Sequence, residues 1–428
     1  MLKINIPETD KKRVVIVGGG FAGLSLARKL IKKKQYQVVL IDKNNYHQFQ
    51  PLFYQVAMAG LEPSSIVFPF RKIFQNEKDI HIRVTEVEEI QTEKNCLITP
   101  LGICKYDYLV LATGAVTNYF GNEVIAANSI SMKSVSEALY LRNQIFEDYE
   151  KAISSTDYDE RQEYIDIVIV GGGPTGVEVA GALADMKKFV LTKDYPELDI
   201  REVDIWLIQG NPELLTGMSE NASEKAKLYL EKLGVNVVLN TRVIDYDGKF
   251  ITLENGKTIP TKKVIWAAGV TGNFMKGFPQ SAWASGNRLK TNAFHQVEGF
   301  SNIFAIGDLA FTTEEKYPKG HPQVAQVAIQ QAKNLGNNLQ CLASGKQFSP
   351  FSYRDLGSMA TIGRNKAVAD FPGMKLQGWL AWVTWLFVHL FQILGAKNKL
   401  FVFMNWVWNY ITYDQPLRLI IKPKQQNK

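Results

Sequence analysis

The sequence predicts an α/β chain built on two similar strand–turn–helix units and closed by an apolar, basic, helical end. Three observations carry this. A short apolar run, Val14-Val15-Ile16-Val17, leads at once into Gly18-Gly19-Gly20-Phe21-Ala22-Gly23 and a helical pattern reaching about Lys33. A second run, Ile167-Val168-Ile169-Val170, leads in the same way into Gly171-Gly172-Gly173-Pro174-Thr175-Gly176 and a helical pattern through Ala184. The chain then ends in a stretch, from Phe371 onward, that is rich in tryptophan and lysine.

Each unit is strand, GxGxxG, helix, the context in which this motif has a physical meaning. The first glycine permits the tight turn, the second lets backbone approach a pyrophosphate, and the third lets helix and strand pack closely. The helix start then offers free N–H groups and a positive dipole end to phosphate. One copy alone is weak evidence. Two in matching context predict two Rossmann-like dinucleotide-binding domains.

The residue closing the next strand separates the two units. In the first, Gln37-Val38-Val39-Leu40-Ile41 leads to Asp42, about twenty residues past the glycines, where a ribose hydroxyl is expected. In the second, a polar insertion around Lys187 to Asp199 delays the strand, Val203 to Ile208, which ends in Gln209. A neutral amide still accepts a hydrogen bond but does not repel a 2′-phosphate, and no Arg lies immediately beside it in sequence. NADH with weaker rejection of NADPH is therefore expected. Three further apolar strands end in small residues: Tyr108 to Thr113-Gly114, Val264 to Ala268-Gly269, and Ile303 to Gly307-Asp308.

With 428 residues, 46% hydrophobic and 21% charged, the chain is long enough for two or three domains with a true core. Asp10 to Arg13 precede an apolar run that breaks at Gly18, so no signal peptide is expected. Cys96, Cys104 and Cys341 form no CxxC and no metal-ligand spacing, which suits a reducing cytosol and a structural role. Of the net charge of +7, most lies after Phe371, where Lys375, Lys397, Lys399, Arg418, Lys422, Lys424 and Lys428 face the single acid Asp414. Cations beside tryptophans suit anionic lipid better than nucleic acid.

The order GGGFAG, acid, LATGA, GGGPTGVE, WAAG, IGD resembles the two-dinucleotide-binding flavoprotein disulfide-reductase superfamily. Within it the chain is similar to the type II NADH:quinone oxidoreductases, through Gln50 to Ala57 (QPLFYQVA), Glu178, Ala325 to Gln331 (AQVAIQQ) and Gly363 to Val368 (GRNKAV). The resemblance implies FAD in the first unit, NADH in the second, and an FAD domain split in sequence. The domains implied are 1–130 and 298–345 for FAD, 131–297 for NADH, and a membrane-associated region at 346–428.

The resemblance assigns FAD to Gly18, Gly20, Phe21, Ala22, Gly23, Asp42, Thr113, Gly114, Gly307 and Asp308, with Gln326 on the flavin and quinone side. It assigns NADH to Gly171, Gly173, Pro174, Thr175, Gly176, Glu178, Gln209, Ala268 and Gly269. Glu178, Gln326 and Gln330 are the implied catalytic residues, with Ile329 close by; Arg364 and Lys366 border the quinone tunnel or are surface charges. Gln326 and Gln330 are four apart, on one helix face. His321-Pro322 is expected to open their helix, with Pro at its first position.

Trp379 to Leu394 is nearly all apolar but, as a helix, covers about 24 Å of a roughly 30 Å hydrocarbon core. With a second stretch, Leu400 to Thr412, it reads as an interfacial anchor on the cytoplasmic face of the cell membrane. A buried helix pair or a homodimer through this region are the alternatives. Without a span there is no route for proton pumping. Two other functions stay open: a sulfide:quinone oxidoreductase-like or other NAD(P)H-dependent reductase, and a slow NADH-sensing flavoprotein.

Overall fold

Two parallel sheets, each built on one of the glycine motifs, organise the chain. The structure, a computed structural model, describes residues 2–415 and 417–421; Lys422, Lys424 and Lys428 of the basic end lie outside the described residues. It divides into two compact units, Met1–Gln48 with Val67–Val116 and Val270–Asp355, and Phe49–Ile66 with Thr117–Gly269 and Leu356–Lys428.

In the first unit the five strands run in the order Ile303–Ala305, Tyr108–Leu111, Lys12–Val17, Tyr36–Asp42, Ile80–Val84, all parallel. The central strands are β-branched and fully buried at Val14, Val15, Ile16, Val38 and Val39, as a sheet covered on both faces requires. The helix Phe21–Leu30 packs on the helix Ala325–Ala343. Gly336 makes that approach possible, since a Cβ there would lie 2.6 Å from Lys29 Cγ.

One expectation is corrected in this unit. The helix bearing the AQVAIQQ run starts at Ala325 with Val324 as its cap, and His321-Pro322 lies before it. The reason is that the His321 N–H donates to the Thr312 carbonyl and its own carbonyl accepts from Arg288, which fixes these residues in a turn. Cys341 lies inside the same helix. Cys96 and Cys104 are buried on neighbouring antiparallel strands.

In the second unit the order is Val235–Val238, Ile205–Ile208, Ile167–Val170, Lys263–Trp266, again all parallel. The helix Pro174–Met186 passes directly into a π turn, Lys187–Leu191, and a last turn at Thr192–Asp194, so part of the polar insertion continues the helix. Beyond residue 356, the strands Ser358–Thr361, Ala367–Phe371 and Met374–Gln377 form an antiparallel meander. It feeds the helices Gly378–Gln392 and Ala396–Thr412, separated at Gly395, whose φ of +77° breaks the run. Among the described residues no helix is long and apolar enough to cross a membrane.

Candidate functional site

The first glycine motif is shaped as its spacing demands. Gly18 has φ +101°, and a Cβ there would sit 2.3 Å from the Ala112 carbonyl oxygen. A Cβ at Gly23 would lie 1.8 Å from the Gly18 oxygen, whereas Gly20 faces open space. Gly20 caps the following helix without a side-chain hydrogen bond, and the helix presents its positive dipole end there, as a phosphate site requires. Asp42 Oδ2 accepts the Gly19 N–H at 2.6 Å and Oδ1 accepts that of Asn44 at 2.7 Å; burial raises its carboxyl above the usual range.

The strand ends converge on the same turn. Gly307 lies between the methyl groups of Ala22 and Ala328, 3.3 and 3.5 Å from where its Cβ would be. Its N–H donates to Gln331 Oε1 at 2.7 Å, and the Asp308 carbonyl accepts from Gln323 at 2.9 Å. Gly114 faces open space at φ +70°. Thr113 Oγ1 and Gln331 Nε2 are buried with no hydrogen-bond partner among the described residues. An open phosphate cradle, a carboxylate at the strand end and unpaired buried polar atoms fit FAD. Gln331 closes the AQVAIQQ run, and nothing local in the sequence marks it for this contact with Gly307.

On the helix Ala325–Ala343, Gln326 and Gln330 share a face turned toward Arg354 and Asp355. Gln326 Nε2 donates to Asp355 Oδ1 at 3.5 Å. Gln330 bonds backbone at both ends of its amide, donating to the Arg354 carbonyl at 2.8 Å and accepting its N–H at 3.2 Å. It fixes the strap that Gln326 faces. Ile329 lies between them, partly exposed.

The second motif repeats the first. Gly171 has φ +110° with its Cβ position 2.4 Å from the Ala267 oxygen, Gly176 is pressed against Gly171, and Gly173 is open. Pro174 is at the first position of the helix, exposed with Thr175 beside the open glycine. Gln209 stands where Asp42 stands: its Oε1 accepts the Gly172 N–H at 2.9 Å. Ala268 and Gly269 close the neighbouring strand, and the Gly269 carbonyl accepts the Asn118 N–H at 3.0 Å. The sequence placed no Arg next to Gln209; the fold brings exposed Arg242 against Gly210, its Cγ 3.2 Å from that glycine's Cβ position. The Thr241 N–H, which donates to the Gln209 carbonyl at 3.1 Å, delivers it there.

Glu178 is one turn into this helix, as its position predicts, and its carboxyl meets Thr361 and Trp385. The Thr361 N–H approaches Oε1 at 3.5 Å and the Trp385 indole faces it; burial pushes the carboxyl up to about 8. Tyr54 Oη bonds Thr361 Oγ1 at 3.1 Å and accepts from Gln55 at 2.9 Å. Nearby is an open cleft with about 900 Å³ of empty space, lined among others by Tyr54, Gln55, Asp185, Arg364, Trp385 and Trp406. Arg364 stacks on Tyr413, 3.7 Å from the ring centre, and donates to the Asn409 carbonyl at 3.0 Å. Lys366 lies over Tyr229 at 5.6 Å. Tyr54, Gln55, Thr361 and the two tryptophans were not singled out in the sequence. Tyr54 and Gln55 were visible only as members of the QPLFYQVA run and the two tryptophans only as members of the apolar end, while Thr361 carried no signal.

Two open nucleotide cradles and a distinct helical end define a flavoprotein dehydrogenase class, and comparison with known proteins narrows it. The family model for pyridine nucleotide-disulphide oxidoreductases matches residues 12–332, and that for the NDH2 C-terminal domain matches residues 356–412. The type II NADH:quinone oxidoreductase Ndh of Mycobacterium tuberculosis is 32% identical over 417 residues, covering 94% of this chain and 89% of that protein. NdhA of the same organism is 34% identical, covering 92% and 86%. NDH2 of Plasmodium falciparum shares the fold at a TM-score of 0.87 and 24% identity, over 96% of this chain and 100% of that one. The sulfide:quinone oxidoreductase of Aquifex aeolicus shares it at 0.72 and 19%, over 96% of each. The chain belongs to the pyridine nucleotide-disulphide oxidoreductases and, within them, to the type II NADH:quinone oxidoreductases.

Proposed function

We propose that the chain oxidises NADH and delivers two electrons through bound FAD to a membrane quinone, without pumping protons. The observation that carries this reading is the pair of glycine cradles, each closed by the side chain that ends the next strand, Asp42 in one and Gln209 in the other. Bound FAD supplies the two-electron relay between nicotinamide and quinone. Residues 1–130 and 298–345 hold FAD, through the Gly18–Gly23 turn, Asp42, Thr113, Gly114 and the Gly307-Asp308 turn. Residues 131–297 hold NADH through the Gly171–Gly176 turn, Gln209, Ala268 and Gly269, and 346–428 meet the membrane.

The protein's part in such a transfer is positioning and proton supply. Gln326 donates an uncharged hydrogen bond to a quinone carbonyl, and Gln330 holds the Arg354 strap beside it. Glu178, raised to about 8 by burial, carries a proton at neutral pH and can give it up when quinone is reduced. Gln209, with Arg242 near it, admits NADPH as a slower substrate.

Exposed Leu380, Phe387, Phe391, Leu400, Met404, Trp408 and Ile411 support a peripheral anchor on anionic lipid at the cytoplasmic face. A second copy of the chain is the other occupant of this surface. Cys104, buried with its thiol pushed up to about 11, is no nucleophile for sulfide chemistry. The deciding assay adds NADH and a soluble quinone analogue to FAD-loaded protein. Sustained NADH oxidation is expected; reduction that stops after one equivalent would instead mean a sensor.

A further inference from the structure

The loop that follows Thr117 is fastened to the end of the second parallel sheet. The Asn118 N–H donates to the Gly269 carbonyl at 3.0 Å, and the Trp266 indole donates to the Asn118 carbonyl at 2.8 Å. Tyr119 stacks on the Trp266 ring, their centres 6.0 Å apart. Two further bonds close the loop on itself: the Phe120 N–H donates to Asn118 Oδ1 at 2.9 Å, and the Asn122 N–H to the Tyr119 carbonyl at 3.0 Å. Residues 119–122 are therefore a tight turn. Its two central residues, Phe120 and Gly121, both have positive φ, +54° and +82°.

A turn with two positive φ values favours Asn-Gly at its centre, because a bulky side chain is crowded there. Phe in that place is a strained choice. No core burial offsets the strain, since Phe120 is 68% exposed. The tip of its ring lies 3.5 Å from the Cβ position of Gly269, just past the strand Lys263–Trp266. Strain of this kind, held in place by surrounding hydrogen bonds at the mouth of a nucleotide sheet, points to contact with a ligand.

The strand order decides which part of the ligand that is. Ile205–Ile208 and Lys263–Trp266 flank the central strand Ile167–Val170 on opposite sides. An adenosine ribose belongs on the first side, where Gln209 closes the strand, and a pyrophosphate belongs at the centre, over the Gly171–Gly176 turn. A dinucleotide laid across these strand ends brings its other half to the Lys263–Trp266 side, where Gly269 and Phe120 stand.

We infer that the Phe120 ring is a binding contact for the nicotinamide half of the dinucleotide. The inference rests on the reading of this sheet as the NADH site. A nicotinamide nucleotide presents a flat ring and, once oxidised, a positive charge on it, and an aromatic face attracts both. The turn holds the ring out in solvent before the ligand arrives, so little ordering is needed on binding.

The test is stopped-flow reduction of the flavin by NADH in the full-length, FAD-loaded protein, with Phe120→Asn as the variant that the turn itself favours. The NADH concentration giving half-maximal reduction should rise about fivefold, the size of one aromatic contact. The inhibition constant of NAD+ should rise at least as much, and Tm should not fall. Binding of ADP, which lacks the nicotinamide half, should not change. Phe120→Tyr should keep the original values, and Phe120→Ala should match Phe120→Asn toward NADH. If either ring-less variant loses FAD, the other decides. An unaltered protein whose flavin NADH does not reduce overturns the reading of the site itself. Normal reduction in that protein, with the half-saturating NADH concentration unmoved in Phe120→Asn, overturns the role of the ring alone. ADP weakened as much as NADH puts the ring on the adenosine side and overturns the assignment.

Discussion

The side-chain oxygen of Gln209 accepts the Gly172 N–H at 2.9 Å, the same place in the turn that Asp42 takes toward Gly19 at 2.6 Å. The two units therefore share one device and differ in its charge. A carboxylate would repel the 2′-phosphate of NADPH; an amide does not, and Arg242 stands by to attract it. Gln209→Glu should raise the ratio of kcat/KM for NADH over NADPH about tenfold, some 1.4 kcal/mol. Arg242→Ala should weaken NADPH more than NADH. Steady-state kinetics with both nucleotides measures this; equal losses for the two after Arg242→Ala would remove that residue from the account.

Stability should fall as pH rises through neutrality. Glu178 is raised from 4.5 to about 8 and Asp166 from 3.8 to about 7, in both cases chiefly by burial. The native state therefore holds protons that the unfolded chain has released. Their contribution is full below the ordinary carboxyl values and is lost as pH climbs to the raised ones. Thermal melts from acid to mildly alkaline pH should show Tm declining across that window. Glu178→Gln and Asp166→Asn should each flatten the decline.

Lys263 and Asp148 form an ion pair at 2.8 Å in which neither side chain is more than 4% exposed. Burial lowers the lysine, and Asp148 is what opposes the lowering. Removing one partner leaves the other charge buried alone, so Lys263→Met should destabilise the protein by about 3–5 kcal/mol. Pairing it with Asp148→Leu should recover much of the loss. Denaturant unfolding of the three variants provides the comparison.

Leu380, Val383, Phe387 and Phe391 form an exposed apolar stripe along one helix, while Ala381 and Trp385 on the other side are buried. Phe387→Ser with Phe391→Ser should shift the protein from anionic vesicles toward the supernatant in a sedimentation assay while FAD content is retained. Unchanged sedimentation, with a smaller particle by size-exclusion chromatography, would assign the stripe to a second copy instead.

The glycine motifs were legible in sequence because a tight turn beside a buried parallel strand tolerates so few residues. Gly18 and Gly171 have positive φ and no room for a Cβ, as their spacing implied. The position of Gln209 was legible for the same reason. Arg242 was not, because only the strand order brings residue 242 beside residue 210. The start of the AQVAIQQ helix was misplaced because Pro322 looks like a first helical residue, and the hydrogen bonds of His321 to Thr312 and Arg288 cannot be seen locally. Tyr54, Thr361 and Trp406 are far apart in sequence and only the fold joins them.

The strand Ile303–Ala305 completes the first sheet by pairing with Tyr108–Leu111, whereas all four strands of the second sheet fall between Ile167 and Trp266. During synthesis, then, the second sheet emerges whole while the first still lacks its edge. The sheet that comes later in the sequence is the earlier one to have all its strands. The earlier-encoded unit must keep Val14 to Val17 and its neighbours from aggregating until the ribosome has passed residue 305. A chain truncated shortly before that point would carry a complete second sheet and an unfinished first one, and so could not hold FAD between its strand ends.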